Sequence, residues 1–158
     1  MKTSSLLNID TSLLKEYNEL EILNPAGWDI GEYLNLKYDI NGALAFSKLF
    51  FPDFIEYEGC VLLKFRFDKV IFKQWYEKFD GNRSEVERMC NFYEVKDYFH
   101  LNQVVYSNEE QYNNALSAFA TTLKISWEVN LKLLYPTTTF RVDVFDEYDT
   151  TRITLYSI

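Results

Sequence analysis

The sequence predicts a single α+β domain that spans residues 1–158. Two segments, roughly 54–67 and 140–157, alternate apolar and polar residues around short turns, which is the pattern of an antiparallel hairpin. A third segment, at about 108–134, lacks glycine and proline and repeats apolar residues every three or four positions, which predicts one long helix. Two hairpins and several helices predict an antiparallel sheet of about four strands that packs its apolar face against helices.

The composition is typical of a chain that folds without disulfides or metals. Hydrophobic residues make up 47% of the 158 residues, and a chain of this size buries roughly two thirds of its unfolded surface. Cys60 and Cys90 lie in apolar stretches and match no metal-binding spacing, which predicts reduced thiols in the core. Reduced cysteines are typical of a cytoplasmic protein, which is the location we expect.

Short helices are predicted in the first third of the chain. Asp10 can cap a helix whose apolar residues follow helical spacing and which ends before a proline–glycine turn. Asn41 can cap a second helix over residues 43–51, because Pro52 closes it. Residues 28–39, between these helices, are compatible with either a short helix or irregular chain.

The first hairpin should turn at Glu58 and Gly59, and its second arm alternates apolar and polar residues as far as Phe67. Asp68 can then cap an amphipathic helix that ends just before Gly81, which is placed to adopt the left-handed conformation common after helices.

Ser84 and Glu87 have the spacing of a capping box, which predicts a helix that runs past Cys90. Residues 91–106 leave two alternatives open. They either finish this helix and become a loop, or include a short strand at about 94–99.

The long helix is predicted to begin at a second capping box, Ser107 and Glu110, and to end near Leu134. Residues 124–134 also alternate strictly between polar and apolar, which is the pattern of a strand. Helix is favoured, because no turn residue precedes the alternating stretch. In the strand alternative the sheet would gain one strand.

The second hairpin is predicted from side chains that share one face. Phe140, Val142 and Val144 alternate with polar residues, and Ile153 and Leu155 do the same after a polar turn. These five side chains should face the core.

The net charge of the chain and the distribution of its apolar residues argue against nucleic-acid and membrane partners. A formal net charge of −8 repels nucleic acid, whose affinity for proteins comes largely from Lys and Arg. No stretch approaches the roughly 18 apolar residues that a membrane span requires, and residues 1–10 lack the apolar core of a secretory signal. We therefore expect a soluble protein with neither nucleic-acid nor membrane partners.

Motifs of common enzymes and cofactor sites do not occur in the sequence. The five glycines are isolated, so no phosphate-binding loop is formed. A single histidine excludes metal sites that need several, and no nucleophile elbow is present. We predict neither a metal nor a cofactor.

Six polar residues are candidates for a functional site, in three pairs: His100 with Asp97, Glu56 with Glu58, and Asp143 with Asp146. In the first pair a carboxylate could orient the histidine as a general base. The second pair could divide acid and base roles, and the third could bind calcium or magnesium. Exposed structural roles are favoured for all three pairs.

A basic strip is formed by Lys64, Arg66, Lys69 and Lys73 in an otherwise acidic chain. Lys64 and Arg66 should share one face of the first hairpin's second strand. The strip could hold a phosphate or an acidic segment, although a solvated face is favoured.

We expect a stoichiometric protein-binding module of bacterial, cytosolic type, such as an inhibitor or an immunity-type protein. The chain is small and acidic and has no catalytic motif, which suits binding to a basic protein partner more than catalysis. Its many tyrosines are typical of interfaces and are also compatible with a homodimer. The alternative is a small enzyme or ligand-binding domain that uses scattered carboxylates and tyrosines.

Overall fold

The computed structural model describes residues 4–101 and 106–158, and over these residues it confirms the α+β class. The helices are α1 (Tyr17–Leu23), α2 (Ile30–Lys37), α3 (Ile40–Phe50), α4 (Lys69–Lys78), α5 (Arg83–Cys90) and α6 (Glu109–Leu134). The strands are β1 (Phe54–Tyr57), β2 (Cys60–Leu63), β3 (Tyr93–Glu94), β4 (Phe140–Glu147) and β5 (Thr150–Ser157). Short 3-10 turns occur at Thr11–Leu13, Lys64–Arg66 and Val95–Phe99.

The chain divides into two compact units, residues 1–47 and 48–158. We refer to them as the first and second units. The organisation of residues 1–158 as one domain stays a prediction. None of the helices in the described part of the chain is both long enough and apolar enough to cross a membrane.

The first unit contains α1, α2 and most of α3, and its centre is aromatic. The Tyr17 and Tyr33 rings lie 5.1 Å apart, and the ring of Trp28 packs on both. The Tyr33 hydroxyl donates a hydrogen bond of 2.9 Å to the carbonyl of Lys15 in the preceding turn. Tyr17 and Tyr33 are the two buried residues among residues 4–47.

The helix boundaries in the first unit differ from the predicted ones. Asp10 caps the 3-10 turn by accepting from the amide of Ser12, and α1 begins later, at Tyr17. Residues 28–39 adopt the helical alternative, because Asp29 caps α2. The capping residue of α3 is Asp39, whose carboxylate accepts from two amides at 2.8 and 2.9 Å, so the prediction of Asn41 is wrong.

The first hairpin is confirmed at its turn and is shorter than predicted. Glu58 and Gly59 both have positive φ, as a two-residue hairpin turn requires, and Tyr57 pairs with Cys60. The second strand ends at Leu63 instead of Phe67. The chain leaves the sheet there through a 3-10 turn that leads into the cap of α4.

The start and the end of α4 follow the predicted signals. The Asp68 carboxylate accepts hydrogen bonds from the amides of Val70 and Ile71. Gly81 has a φ of 70°, and its amide bonds the carbonyl of Tyr76 at 2.9 Å, which closes the end of the helix.

The predicted capping box of α5 is wrong. Asn82 accepts from the amide of Glu85, and the helix begins at Arg83. Ser84 therefore lies inside the helix, and the side chain of Glu87 points into the core instead of toward the helix start.

After α5, a short strand does form, but it lies earlier than the predicted strand at about 94–99. β3 covers Tyr93–Glu94, and residues 95–99 form a 3-10 turn. The rest of the ambiguous segment includes residues 102–105, which lie outside the described residues.

Helix α6 is confirmed along its whole predicted length, and the strand alternative for 124–134 is wrong. Its cap is Asn108, one residue after the predicted one, because Asn108 accepts from the amide of Gln111 at 2.8 Å. Trp127 is fully buried on this helix, and its indole N–H donates to the carbonyl of Leu49 at 2.8 Å. The indole thereby connects α6 to the end of α3 within the second unit.

The second hairpin is confirmed, with Tyr148 and Asp149 at its turn and continuous pairing from Glu147–Thr150 to Phe140–Ser157. Its apolar face packs on α6 around Val142 and Leu155. β3 pairs with the other edge of β5, which gives the strand order β3-β5-β4. The two hairpins therefore lie in separate sheets, of two and three strands, instead of one.

Candidate functional site

The side chains of His100 and Asp97 are not arranged as the predicted pair of base and orienting carboxylate. Both residues are exposed in or next to the 3-10 turn at residues 95–99, and within the described residues no hydrogen bond joins them. The Asp97 charge adds to the effect of burial in raising the pKa of the Tyr93 phenol. The turn thus presents an exposed imidazole without the carboxylate contact that orients a catalytic histidine.

The two glutamates of the first hairpin are also separated by the fold. Glu56 is exposed on β1, whereas Glu58 is in the turn with a φ of 49°. Residues two positions apart on a strand point to the same face, but β1 ends at Tyr57, so this rule does not apply to Glu56 and Glu58. The charge of Glu56 adds to burial in raising the pKa of Tyr135.

Asp143 and Asp146 lie on opposite faces of β4, as the strand alternation requires. Asp143 accepts hydrogen bonds of 2.7 Å from Arg141 Nε and 2.8 Å from the Tyr156 hydroxyl. Burial opposes ionisation of Asp143, but these two hydrogen bonds outweigh it and lower its pKa. Asp146 accepts from the hydroxyl of Thr151 at 2.9 Å. Among the described residues no cluster of His, Cys, Asp and Glu side chains is suited to a metal ion.

The basic strip does not lie on a strand, because Lys64 and Arg66 belong to a 3-10 turn. The Arg66 guanidinium lies 4.7 Å from the centre of the Tyr93 ring. The ammonium of Lys69 lies 5.8 Å from the centre of the Tyr57 ring. Arg66 and Lys69 therefore both make cation–π contacts with aromatic rings of the second unit.

A charged network that sequence patterns did not indicate lies on the face of β5 opposite α6. Arg152 contacts the carboxylates of Glu94, at 3.2 Å, and Glu147. Its guanidinium also stacks over the Phe92 ring, 5.1 Å from the centre, and its side chain is only 13% exposed. A signal for the contact with Glu147 was present, because Arg152 pairs with Phe145 and so lies diagonally across the predicted hairpin from Glu147. Glu94 is distant in sequence and gives no such signal.

The side chain of Glu87, which the sequence pattern assigned to a helix cap, is fully buried. Its Oε1 accepts from the amide of Val61 at 2.7 Å and from Arg83 Nε at 3.0 Å. Its Oε2 accepts from the amide and the hydroxyl of Ser157 at 2.6 and 2.7 Å. Four donors thus compensate a carboxylate that is fully buried, as a buried charge requires.

Asn91 lies one turn further along and is also fully buried. Its side-chain oxygen accepts from the amide of Leu63 at 2.8 Å, and its amide nitrogen donates to the carbonyls of Val61 and Leu155 at 3.0 and 3.1 Å. The side chains of Glu87 and Asn91 together form hydrogen bonds with backbone groups on the facing edges of β2 and β5. We call this pair of side chains the sheet bridge.

The sheet bridge explains why the two hairpins do not share one sheet. Glu87 on α5 and Asn91, the residue that caps the end of α5, take the positions that backbone groups of a neighbouring strand would otherwise occupy. Both side chains are enclosed and hydrogen bonded, so the carboxylate has no access to a substrate. We therefore assign the sheet bridge to the architecture and not to chemistry.

The two thiols are not nucleophiles in the folded protein. Burial raises the pKa of Cys60 and of Cys90 to about 11 in each case. A nucleophilic cysteine requires a thiolate near neutral pH, which these values exclude.

The first unit presents large apolar side chains on its surface. Ile30 and Leu34 are 51% and 50% exposed and lie one turn apart on α2. Ile40 and Leu44 are 73% and 61% exposed and have the same spacing on α3. Residues four positions apart lie on one helix face, so each helix carries an exposed apolar stripe. We call Ile30, Leu34, Ile40 and Leu44 the apolar stripes of the first unit.

Comparison with known proteins gives no further assignment. No protein-family model matches the chain, and no curated protein or solved structure matches it significantly. The geometry of the described residues is therefore the basis for a functional proposal.

Proposed function

We propose that the protein is a stoichiometric protein-binding module and that the apolar stripes of the first unit contact its partner. The module would act as an inhibitor or immunity-type protein does, by covering a surface of another protein. The exposure of these four side chains carries the proposal.

The first unit has little apolar burial of its own. Among residues 4–47 two tyrosines are buried, while many of the aliphatic side chains are exposed. Full burial of one Leu or Ile side chain is worth about 1.5–3 kcal/mol relative to exposure. Clustered exposed apolar side chains are a known mark of protein-interaction sites, whereas scattered ones are ordinary.

The charge of the first unit indicates the character of the partner. Residues 1–47 contain seven acidic and three basic side chains. Asp29 caps α2, Glu32 lies in its first turn, and Asp39 caps α3, so carboxylates are close in sequence to the apolar stripes. Complementary charge accelerates association and selects among partners, which favours a partner with basic residues around an apolar groove.

The three predicted polar pairs do not support the enzymatic alternative. They lie at separate positions, on the 3-10 turn at 95–99, on the first hairpin and on β4. Among the described residues no hydrogen bond or ion pair joins one of these pairs to another.

Affinity capture with matched variants tests the proposal. The tagged chain, the variant L34Q/L44Q and the control L133Q would be used as baits in lysate of the native organism. Gln is a good helix former, so the substitutions remove apolar surface and keep helix propensity. Leu133 is 74% exposed on α6, in the second unit, which makes it a matched control.

We expect one protein to elute with the wild-type chain and with L133Q in a fixed molar ratio, and to be lost with L34Q/L44Q. Native mass spectrometry of the reconstituted pair would give the ratio. Equal recovery with all three baits would refute the assignment of the apolar stripes. Recovery of no stoichiometric partner with any bait would refute the binding function.

A further inference from the structure

The outer edge of β4 carries a row of backbone groups without a partner strand among the described residues. β4 has eight residues, and its pairing with β5 is continuous, without a bulge. No proline or lysine interrupts the strand, although these residues commonly protect sheet edges. β1, the corresponding edge of the other sheet, has only four residues.

The register of the hairpin identifies the outward backbone groups. The two-residue turn makes Glu147 and Thr150 a hydrogen-bonded pair, and such pairs alternate along an antiparallel ladder. The bond from the Ile158 amide to the Thr139 carbonyl, at 3.0 Å, fits the same alternation. The amides and carbonyls of Val142, Val144 and Asp146 therefore point away from β5.

The charges on β4 complement each other when the strand is paired antiparallel with a second copy of itself. A two-fold axis at Val144 places Arg141 of each copy opposite Glu147 of the other. The same arrangement pairs Val144 with Val144 and Val142 with Asp146 through their outward backbone groups. Opposite charges directly across strands stabilise pairing, and like charges destabilise it.

Neighbouring registers are less favourable. Shifting the axis to residue 143 places Asp143 opposite Asp143, and shifting it to residue 145 places Asp143 opposite Glu147. An axis at Val142 places Arg141 opposite Asp143, but it pairs residues 140–144 only, whereas the axis at Val144 pairs residues 141–147.

Arg141 and Glu147 can both form the ion pair between copies without losing their contacts within one chain. Arg141 donates to Asp143 through Nε, and its two terminal nitrogens have no hydrogen bond among the described residues. Glu147 contacts Arg152 through Oε2 and has no such contact through Oε1. Arg141 and Glu147 are both exposed, so a second copy can reach them.

We infer that the β4 edge is a self-association surface, at which two copies of the chain pair antiparallel about Val144 and join their three-stranded sheets into one of six strands. The residues of this surface are not those of the apolar stripes, and the inference does not depend on the function proposed for the stripes.

Charge-reversal variants test the dimer and its register. R141E and E147R each create two like-charge pairs across the two-fold axis, and we expect each to raise the dimer dissociation constant by about tenfold or more. An equimolar mixture of R141E and E147R restores opposite charges at both positions, so a heterodimer should form. K132E makes the same charge change as R141E at an exposed residue of α6, outside β4, and should leave the dimer intact.

Sedimentation velocity over a concentration series gives the dissociation constants, and thermal unfolding shows that each variant folds. A wild-type chain that stays monomeric into the high micromolar range overturns the inference. So does a dimer that R141E and K132E weaken equally, or a mixture that fails to form the heterodimer.

Hydrogen exchange on the wild-type chain gives a test that requires no variant. The amides of Val142, Val144 and Asp146 should gain protection as concentration rises, because only the dimer bonds them. The amides of Arg141 and Asp143 bond to β5 in the monomer and should be protected at every concentration. Equal concentration dependence at both sets of amides would contradict β4 pairing.

Discussion

Replacing Asn91 with alanine should destabilise the second unit strongly. The change removes the three hydrogen bonds of the Asn91 side chain. It leaves the amide of Leu63 and the carbonyls of Val61 and Leu155 without partners in the core. Each buried polar group without a partner costs about 1–3 kcal/mol, so for three such groups we expect a loss of about 3–9 kcal/mol in the free energy of unfolding.

This loss would be a large part of the total stability, since domains of this size are stable by about 5–15 kcal/mol. Urea unfolding, followed by tryptophan fluorescence and far-UV circular dichroism, measures it. Asn114→Ala is the matched control, because Asn114 is exposed on α6 in the same unit. We expect the control to change stability by about 0.5 kcal/mol or less. If N91A cost no more than N114A, the reasoning on the sheet bridge would be refuted.

Three further predictions concern single side chains. Trp127→Phe removes the hydrogen bond to Leu49 and part of the core volume, and it should cost about 2 kcal/mol in urea unfolding; an unchanged midpoint would contradict this. Burial opposes ionisation of Asp143, but hydrogen bonds lower its pKa, so its contribution to stability is present above about pH 4 and lost as the pH falls. As the pH falls below about 4, the melting temperature of D143N should therefore decrease less than that of the wild-type chain. An equal decrease in both proteins would exclude this role. Because the pKa values of Cys60 and Cys90 are raised to about 11, a disulfide reagent at pH 8 should label both slowly until urea unfolds the chain; rapid labelling of the native protein would count against their burial.

Local signals predicted the elements that depend on local geometry. Glu58 and Gly59 mark a two-residue turn by residue type alone, and the structure places a hairpin turn there. Along α6, apolar residues at helical spacing outweighed the alternation in residues 124–134. The helical assignment was right because the apolar stripe of one continuous helix packs on β4 and β5.

Elements that depend on distant partners were not predictable in this way. Glu87 has the right spacing from Ser84 for a capping box, but the amides of Val61 and Ser157 bind its carboxylate. These partners are 26 and 70 residues away, so no sequence window contains them. For the same reason the sequences of the two hairpins could not show that the hairpins lie in separate sheets.

The candidate site was predicted less well than the fold. Acidic and histidine side chains were selected for their chemistry, yet function depends on whether the fold brings them together. Asp143 and Asp146, for example, face opposite ways, because β4 continues through both residues and side chains alternate along a strand. The exposure of Ile30 and Ile40 depends on tertiary packing, and the spacing of apolar residues in the sequence does not show which of them are buried.

The sheet bridge also has a consequence for the order of folding. Each hairpin closes through a two-residue turn and can form from contacts that are local in the chain. The two sheets can meet only after α5 has docked, because its side chains reach partners that are far away in sequence. Such closures are slow, since chain entropy is lost before the contacts compensate it. We therefore expect the docking of α5 to be the step that commits the second unit to its native topology.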